Sequence, residues 1–174
     1  MSTWFRSYGF ADVFYGLLIG SYPLDEQDVD MLHWAGVDRV LNLVENDEYR
    51  PGERDAVERA MAHNEIDEYR LALPDFGGMP PEMIDRAVSV LNGWIAEGHH
   101  VYLHCRAGRQ RSPAIAAALV ALRDGVDVDD ALEVVRARKP SADPLPHQRE
   151  DLRRWWRERI GGWGPTQRPA AGAP

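Results

Sequence analysis

The chain carries one cysteine, Cys105, within the run His104-Cys105-Arg106-Ala107-Gly108-Arg109-Gln110-Arg111-Ser112. These residue types can handle a phosphate dianion, which needs positive potential and many hydrogen-bond donors. A loop joining a strand end to a helix N-terminus supplies both, through inward backbone N–H groups and the helix dipole. The expected phosphate contacts run along Arg106, Ala107, Gly108, Arg109, Gln110 and Arg111. Gly108 lets the backbone turn where a side chain would obstruct. Arg111 stands six residues after Cys105. Its guanidinium fork can clamp two phosphate oxygens.

The same features activate the sulfur. Helix N-termini and nearby cations favour a thiolate, so Cys105 is predicted to attack phosphorus at neutral pH. Ser112 can donate a hydrogen bond to the sulfur and stabilise it as a leaving group when a phosphocysteine breaks down. His104 is expected to orient the loop without touching substrate. The plain alternative for a lone cysteine is a small buried apolar residue. Its solitude excludes an internal disulfide and a multi-cysteine zinc site. An oxidised Cys105 would therefore turn to a backbone nitrogen or an external thiol. His33, His63, His99, His100 and His147 show no metal-ligand spacing. The chemistry calls for no metal and no cofactor.

A strand must deliver this loop and a helix must receive it. Residues 101–103 are a short apolar strand leading straight into it. Residues 114–122 are apolar in succession, and a helix apolar all round is a buried one. Upstream, 13–19 reads as a strand or ribbon broken by Gly16. Asp25 caps a helix with Val29, Leu32 and Ala35 on one face, ended by Gly36. A buried strand spans 37–44, a helix 51–63 and a strand 66–73. A loop over 74–81 then leads to a helix over 81–97, with Gly98 as its C-cap. Two further helices are predicted over 128–138 and 147–160. Trp155 and Trp156 on the last are expected to cover the core.

Strands alternating with helices predict one α/β domain, with a central, mostly parallel sheet of about four to five strands flanked by helices. Ligands in such sheets sit beyond the carboxyl ends of strands, where Cys105 falls. The domain is expected over 1–160, and the Gly-, Pro- and Ala-rich stretch 161–174 is expected to be disordered. The 174 residues carry a net charge of -8, which disfavours nucleic acid as a partner. A local basic pocket can still hold a phosphate monoester. No segment reaches the roughly 20 apolar residues that span a bilayer. Residues 1–12 lack the pattern of a signal peptide, so the expected compartment is the cytoplasm.

The pattern His-Cys, five residues, Arg, Ser resembles the signature of the protein tyrosine phosphatase superfamily, above all its small dual-specificity branch. Residues 40–43 and 135–140 are similar to further segments of dual-specificity phosphatases, and the resemblance runs over 13–159. It implies a phosphatase-like fold with a pocket shallower than that of the larger tyrosine-specific domains. It also implies a cysteine-dependent phosphatase working through phosphocysteine on phosphotyrosine, phosphoserine or phosphothreonine of proteins. Rhodanese-like sulfurtransferases have a shorter loop. Low-molecular-weight phosphatases and arsenate reductases place the cysteine near the N-terminus.

The family takes its general acid from an aspartate on an upstream loop. Asp75 precedes Cys105 by thirty positions, between Pro74 and Gly77-Gly78. A helix cap near Pro81 or a solvated turn is the plain alternative for it. Asp67 and Asp85 are the substitutes, both inside apparent regular elements. Gln148 loosely resembles a water-positioning glutamine, but an exposed residue at a helix start is the preferred reading. Arg106 and Arg109 open an alternative substrate class of strongly anionic groups: a phosphoinositide, phosphatidylglycerophosphate or a phosphoglucan. The other alternative is an inactive phosphate-binding module, against which Cys105, Arg111 and Asp75 all speak.

Overall fold

In the computed structural model, which describes residues 1–161, chain order fixes how the cysteine loop is held. A short helix, α1 (Thr3–Tyr8), leads into a hairpin of β1 (Phe10–Phe14) and β2 (Leu17–Ser21). The hairpin turns at Tyr15-Gly16, where Gly16 has φ 93°. Helix α2 (Glu26–Trp34), strand β3 (Arg39–Asn42), a 3-10 turn at Asn46–Glu48, helix α3 (Glu53–His63) and strand β4 (Asp67–Arg70) follow. The chain continues through α4 (Pro81–Ala96), β5 (Val101–Cys105), α5 (Arg111–Asp124), α6 (Val128–Arg138) and α7 (Pro146–Gly161).

The five strands form one sheet in the order β1-β2-β5-β3-β4. Only β1 runs antiparallel; β2, β5, β3 and β4 are parallel neighbours. β5 is the middle strand, so its C-terminal Cys105 pairs with Ser21 on one side while His104 faces Asn42 on the other. Side chains alternate across the sheet. Val101, Leu103 and Cys105 join the core under α4, α5, α6 and α7, and Tyr102 joins the opposite core with Leu18, Val40 and Phe5. Both faces are covered, which is why residues 17–19 of β2 and 101–103 of β5 read as unbroken apolar runs. Every residue of α5 from Arg111 to Ala121 is buried. Trp155 and Trp156 close the core from α7.

The α/β fold with a mostly parallel five-stranded sheet is as the sequence predicts, with local differences. The ribbon expected over 13–19 is two strands, because Gly16 turns the chain back. Pro51 precedes α3, whose N-cap is Gly52. α5 begins three residues earlier than its apolar run, at Arg111, so the cysteine loop passes directly into a helix N-terminus. α1 has no counterpart in the sequence reading. Six residues are too few to show a period; Ser2 caps this helix, accepting the Phe5 N–H at 3.0 Å, and Phe5 anchors it in the core. The stretch expected to be disordered lies outside the described residues except for Gly161, which closes α7. Among the described residues, no helix is long and apolar enough to cross a membrane.

Candidate active site

The loop between β5 and α5 is pinned from outside. The Arg106 carbonyl accepts from the Tyr22 N–H at 3.0 Å, and the Arg109 carbonyl from the Asp143 N–H at 2.6 Å. Among the described residues, the N–H groups of 106–110 donate to no protein acceptor. Gly108 adopts φ 66° and lies against the backbone of Gly20; a Cβ there would come within 2.4 Å of the Gly20 carbonyl carbon. Both facts demand glycine. Gly108→Ala should lower unfolding free energy by about 2–4 kcal/mol, from a left-handed backbone plus overpacking, and urea titration would measure it.

Cys105 is 3% exposed. It lies in a cavity of about 340 Å³ whose walls include Arg106, Ala107, Arg109, Gln110, Arg111 and Asp75. Most of the residues singled out in the sequence therefore meet in one place. Gly108 shapes the loop from behind, and Ser112 and His104 lie beneath it, all buried. The Ser112 hydroxyl donates to the Cys105 sulfur at 3.3 Å. His104 Nδ1 is 3.3 Å from the Cys105 carbonyl, and its ring stacks on Tyr102. Burial pushes the His104 pKa down to about 4, against the opposing pull of Glu68. The ring is therefore neutral at pH 7 and, with the proton on Nδ1, donates to the loop.

Arg111 is 1% exposed. Its Nη1 donates to Glu48 Oε1 at 2.6 Å and to the Leu73 carbonyl at 2.8 Å. Its Nη2 donates to Glu48 Oε2 at 2.7 Å and to Asp75 Oδ1 at 2.9 Å. Nε has no partner among the described residues. Burial by itself pushes the Glu48 carboxyl up, but hydrogen bonds from Arg111 and the Glu45 backbone outweigh it and hold the carboxyl below its ordinary range. Burial likewise pulls Arg111 down, and Glu48, Cys105 and Asp75 together more than reverse this, leaving the guanidinium charged.

Glu48 is the Arg111 partner that sequence reasoning missed. It lies 63 positions from Arg111, in a polar stretch whose one local signal is the capping box with Glu45. Glu45 also holds the Asp75 loop, where its carboxylate accepts the Asp75 N–H at 3.1 Å.

Asp75 reaches the cavity from a turn, partly exposed, with its carboxylate on Arg111; it caps no helix, since α4 has no side-chain cap. Asp67 pairs with Arg39, and Asp85 accepts from Trp155 Nε1 at 2.8 Å, so both substitutes are engaged elsewhere. Gln148 is not the exposed helix-start residue expected. It is fully buried, with Oε1 accepting from the Leu145 N–H and Nε2 donating to the Gly77 carbonyl, each at 3.1 Å. It thus ties the start of α7 to the Asp75 loop. Tyr8, Phe76 and Asp143 also line the cavity, without any signal in the sequence.

The family model described as "Dual specificity phosphatase, catalytic domain" matches residues 17–158. The chain is 25% identical to the Arabidopsis thaliana protein-tyrosine-phosphatase IBR5 over 136 residues, 78% of this chain and 46% of that protein. It is 25% identical to human dual specificity protein phosphatase 15 over 156 residues, 89% of this chain and 46% of that protein. The chain thus spans about half the length of these two relatives. It is 24% identical to the rat phosphatidylglycerophosphatase and protein-tyrosine phosphatase 1, over 82% of this chain and 73% of that protein. Among solved structures, PTPMT1 superimposes with a TM-score of 0.75 at 21% identity, covering 88% of this chain and 97% of the other. A mutant form of Tk-PTP superimposes with a TM-score of 0.75 at 26% identity, covering 88% of this chain and 98% of the other.

Proposed function

Because this chain belongs to the dual specificity phosphatase catalytic domain family, we propose that it hydrolyses phosphate monoesters in two steps through a phosphocysteine at Cys105. The observation that carries this reading is the meeting of the Cys105 sulfur, the Asp75 carboxylate and Arg111 in one cavity. The sulfur forms a bond to phosphorus as the ester P–O bond breaks, and Asp75 gives its proton to the leaving oxygen. Water then attacks the phosphocysteine. Asp75 takes the water's proton, and Cys105 leaves as a thiolate stabilised by the Ser112 hydroxyl. The loop N–H groups and the unpartnered Nε of Arg111 hold the non-bridging oxygens. Asp75 occupies Nη2 of Arg111 before substrate arrives. An entering phosphate monoester competes for that donor, and the released carboxylate takes up, from solvent or from the substrate monoanion, the proton that it then gives to the leaving oxygen.

Phosphotyrosine, phosphoserine or phosphothreonine of proteins is the proposed substrate, in keeping with the names of the plant and human relatives. The second reading is a strongly anionic substrate such as a lipid phosphate. It is favoured by Arg109, which is exposed on the cavity and has no side-chain partner among the described residues. The rat relative's name includes phosphatidylglycerophosphatase. A panel of phosphopeptides and phospholipids separates the two.

Asp75→Asn tests the mechanism. With a phosphotyrosine peptide, kcat should fall by roughly 10²–10⁴. With para-nitrophenyl phosphate, whose leaving group needs little protonation, the loss should be much smaller. Inorganic phosphate should inhibit the variant at least as tightly as the wild type, since a competitor for Arg111 has lost its charge. Equal losses on both substrates would remove Asp75 as the acid.

A further inference from the structure

Helix α1 precedes the stretch that matches the family, residues 17–158, yet it builds part of the active site. Tyr8, its last residue, lines the catalytic cavity. Trp4, one turn earlier, packs on Tyr8 with ring centroids 4.3 Å apart, and the Arg106 guanidinium lies 5.8 Å from the Trp4 ring. One side of the cysteine loop therefore leans on this helix.

The helix is tied down at both ends. Ser2 donates from its N–H and its hydroxyl to the buried Asp28 carboxylate at 2.7 and 2.6 Å. At the other end, the Gly9 carbonyl accepts from the Ser21 N–H at 3.2 Å. Lys139, just past the end of α6, donates from Nζ to the Tyr8 carbonyl at 2.7 Å. Lys139 is 5% exposed and makes no other side-chain hydrogen bond among the described residues. A buried ammonium is costly unless it is put to use. Here it meets an orphan carbonyl at a helix C-terminus, where a cation is favoured. Burial also lowers its pKa, as expected for an amine taken out of water.

The cavity is thus polar at its floor and aromatic on its walls. Phe76, 66% exposed beside Asp75, is the second ring on it, held at a left-handed φ of 55°. Rings in such a wall attract another ring edge-on or offset, beyond what area alone gives. Phosphotyrosine offers a ring; phosphoserine and a lipid phosphate do not.

We propose that α1 is a substrate-selecting wall of the active site: Tyr8 receives the ring of an aryl phosphate, the side chain of phosphotyrosine, and Lys139 is the positioning residue that fixes Tyr8. This rests on the phosphatase reading above and narrows it to aryl esters. The test separates binding from turnover. Phenylphosphonate and methylphosphonate, which cannot be hydrolysed, are titrated into the full chain, and the ratio of their Kd values is read.

The wild type should prefer phenylphosphonate, and Tyr8→Phe should keep that preference. Tyr8→Leu retains bulk without the ring and should shrink the preference by roughly three- to tenfold. Lys139→Met should shrink it in part, and should add nothing in a Tyr8→Leu background, because its effect passes through Tyr8. A preference left intact by Tyr8→Leu overturns the proposal, as does an equal loss in Tyr8→Phe. Failure of phenylphosphonate to bind would also overturn it. Absence of wild-type turnover on para-nitrophenyl phosphate would instead sink the phosphatase reading. Turnover with an unaltered Kd ratio sinks the wall alone.

Discussion

Cys105→Ser should abolish turnover, lowering kcat by on the order of 10⁴ or more, while leaving the fold and phosphate binding in place. The substitution exchanges one atom for a smaller one at a site that is 3% exposed. The Gly108–Gly20 contact and the ties of the loop to Tyr22 and Asp143 do not involve the sulfur. The loop N–H groups and Arg111 remain as an anion cradle. In the proposed mechanism what disappears is the nucleophile: a serine hydroxyl ionises far less readily than a thiol, Asp75 is committed as the acid, and His104 donates to the residue 105 carbonyl, so no base is left to ionise it. Steady-state kinetics on para-nitrophenyl phosphate and phosphate titration followed by calorimetry check the two halves. Cys105 is the chain's one cysteine, so alkylation by iodoacetate supplies an independent control. Wild-type activity should vanish in step with one equivalent of label, and the serine variant should take up none. Residual turnover near the wild-type level would remove Cys105 from the mechanism.

The cradle was legible because it is local. Nine consecutive residues carry the nucleophile, the turn glycine, the clamp and the leaving-group donor, and α5 announces its burial through an unbroken apolar run. The parallel sheet was legible for a related reason, since strands covered on both faces lose their alternation. The partners of Arg111 were not legible in the same way. Sheet order places β3 beside β5 and β4 beside β3, all parallel, so the loops that follow the three strands open at the same edge. Glu48 follows β3 and Asp75 follows β4, and both converge on Arg111 from far along the chain. A reader of the sequence could expect the loop after β3 to arrive there, but not which of its acidic residues would turn inward. α1 escaped for another reason. Its stability comes from Phe5 in the core and from Ser2 on Asp28 rather than from propensity or period. Gln148 departs from its expected exposure, which is the default for a polar residue at a helix start. Here the Gly77 carbonyl and the Leu145 N–H satisfy it in the interior.

Arg111→Met should cost activity and stability together, and the two losses can be separated through Glu48. The guanidinium donates in the fold to Glu48, Asp75 and the carbonyls of Leu43 and Leu73. In the proposed mechanism it is the charge that meets the phosphoryl oxygens, a contribution worth on the order of 10³–10⁵ in rate where an arginine serves a phosphoryl transition state. Methionine fills the space but leaves the Glu48 carboxylate buried without its partner, which should lower unfolding free energy by about 3–5 kcal/mol. Adding Glu48→Gln removes the stranded charge. The double variant should recover part of the stability and none of the activity.

The pH dependence carries a matching sign. In the wild type Glu48 titrates below its unfolded value of about 4.3, so it stabilises the fold above that pH. That share is lost as pH falls through the folded value. In Arg111→Met burial, the largest influence on Glu48, is opposed only by the Glu45 N–H and the charge of Arg106, and should raise its pKa above the unfolded value. Its contribution then changes sign, and acidification through the region above about 4.3 should narrow the stability gap to the wild type. Urea titrations of the wild type, the single variant and the double variant between neutral and acid pH test this directly. If the double variant proves no more stable than Arg111→Met at neutral pH, then Glu48 is not the group that Arg111 neutralises.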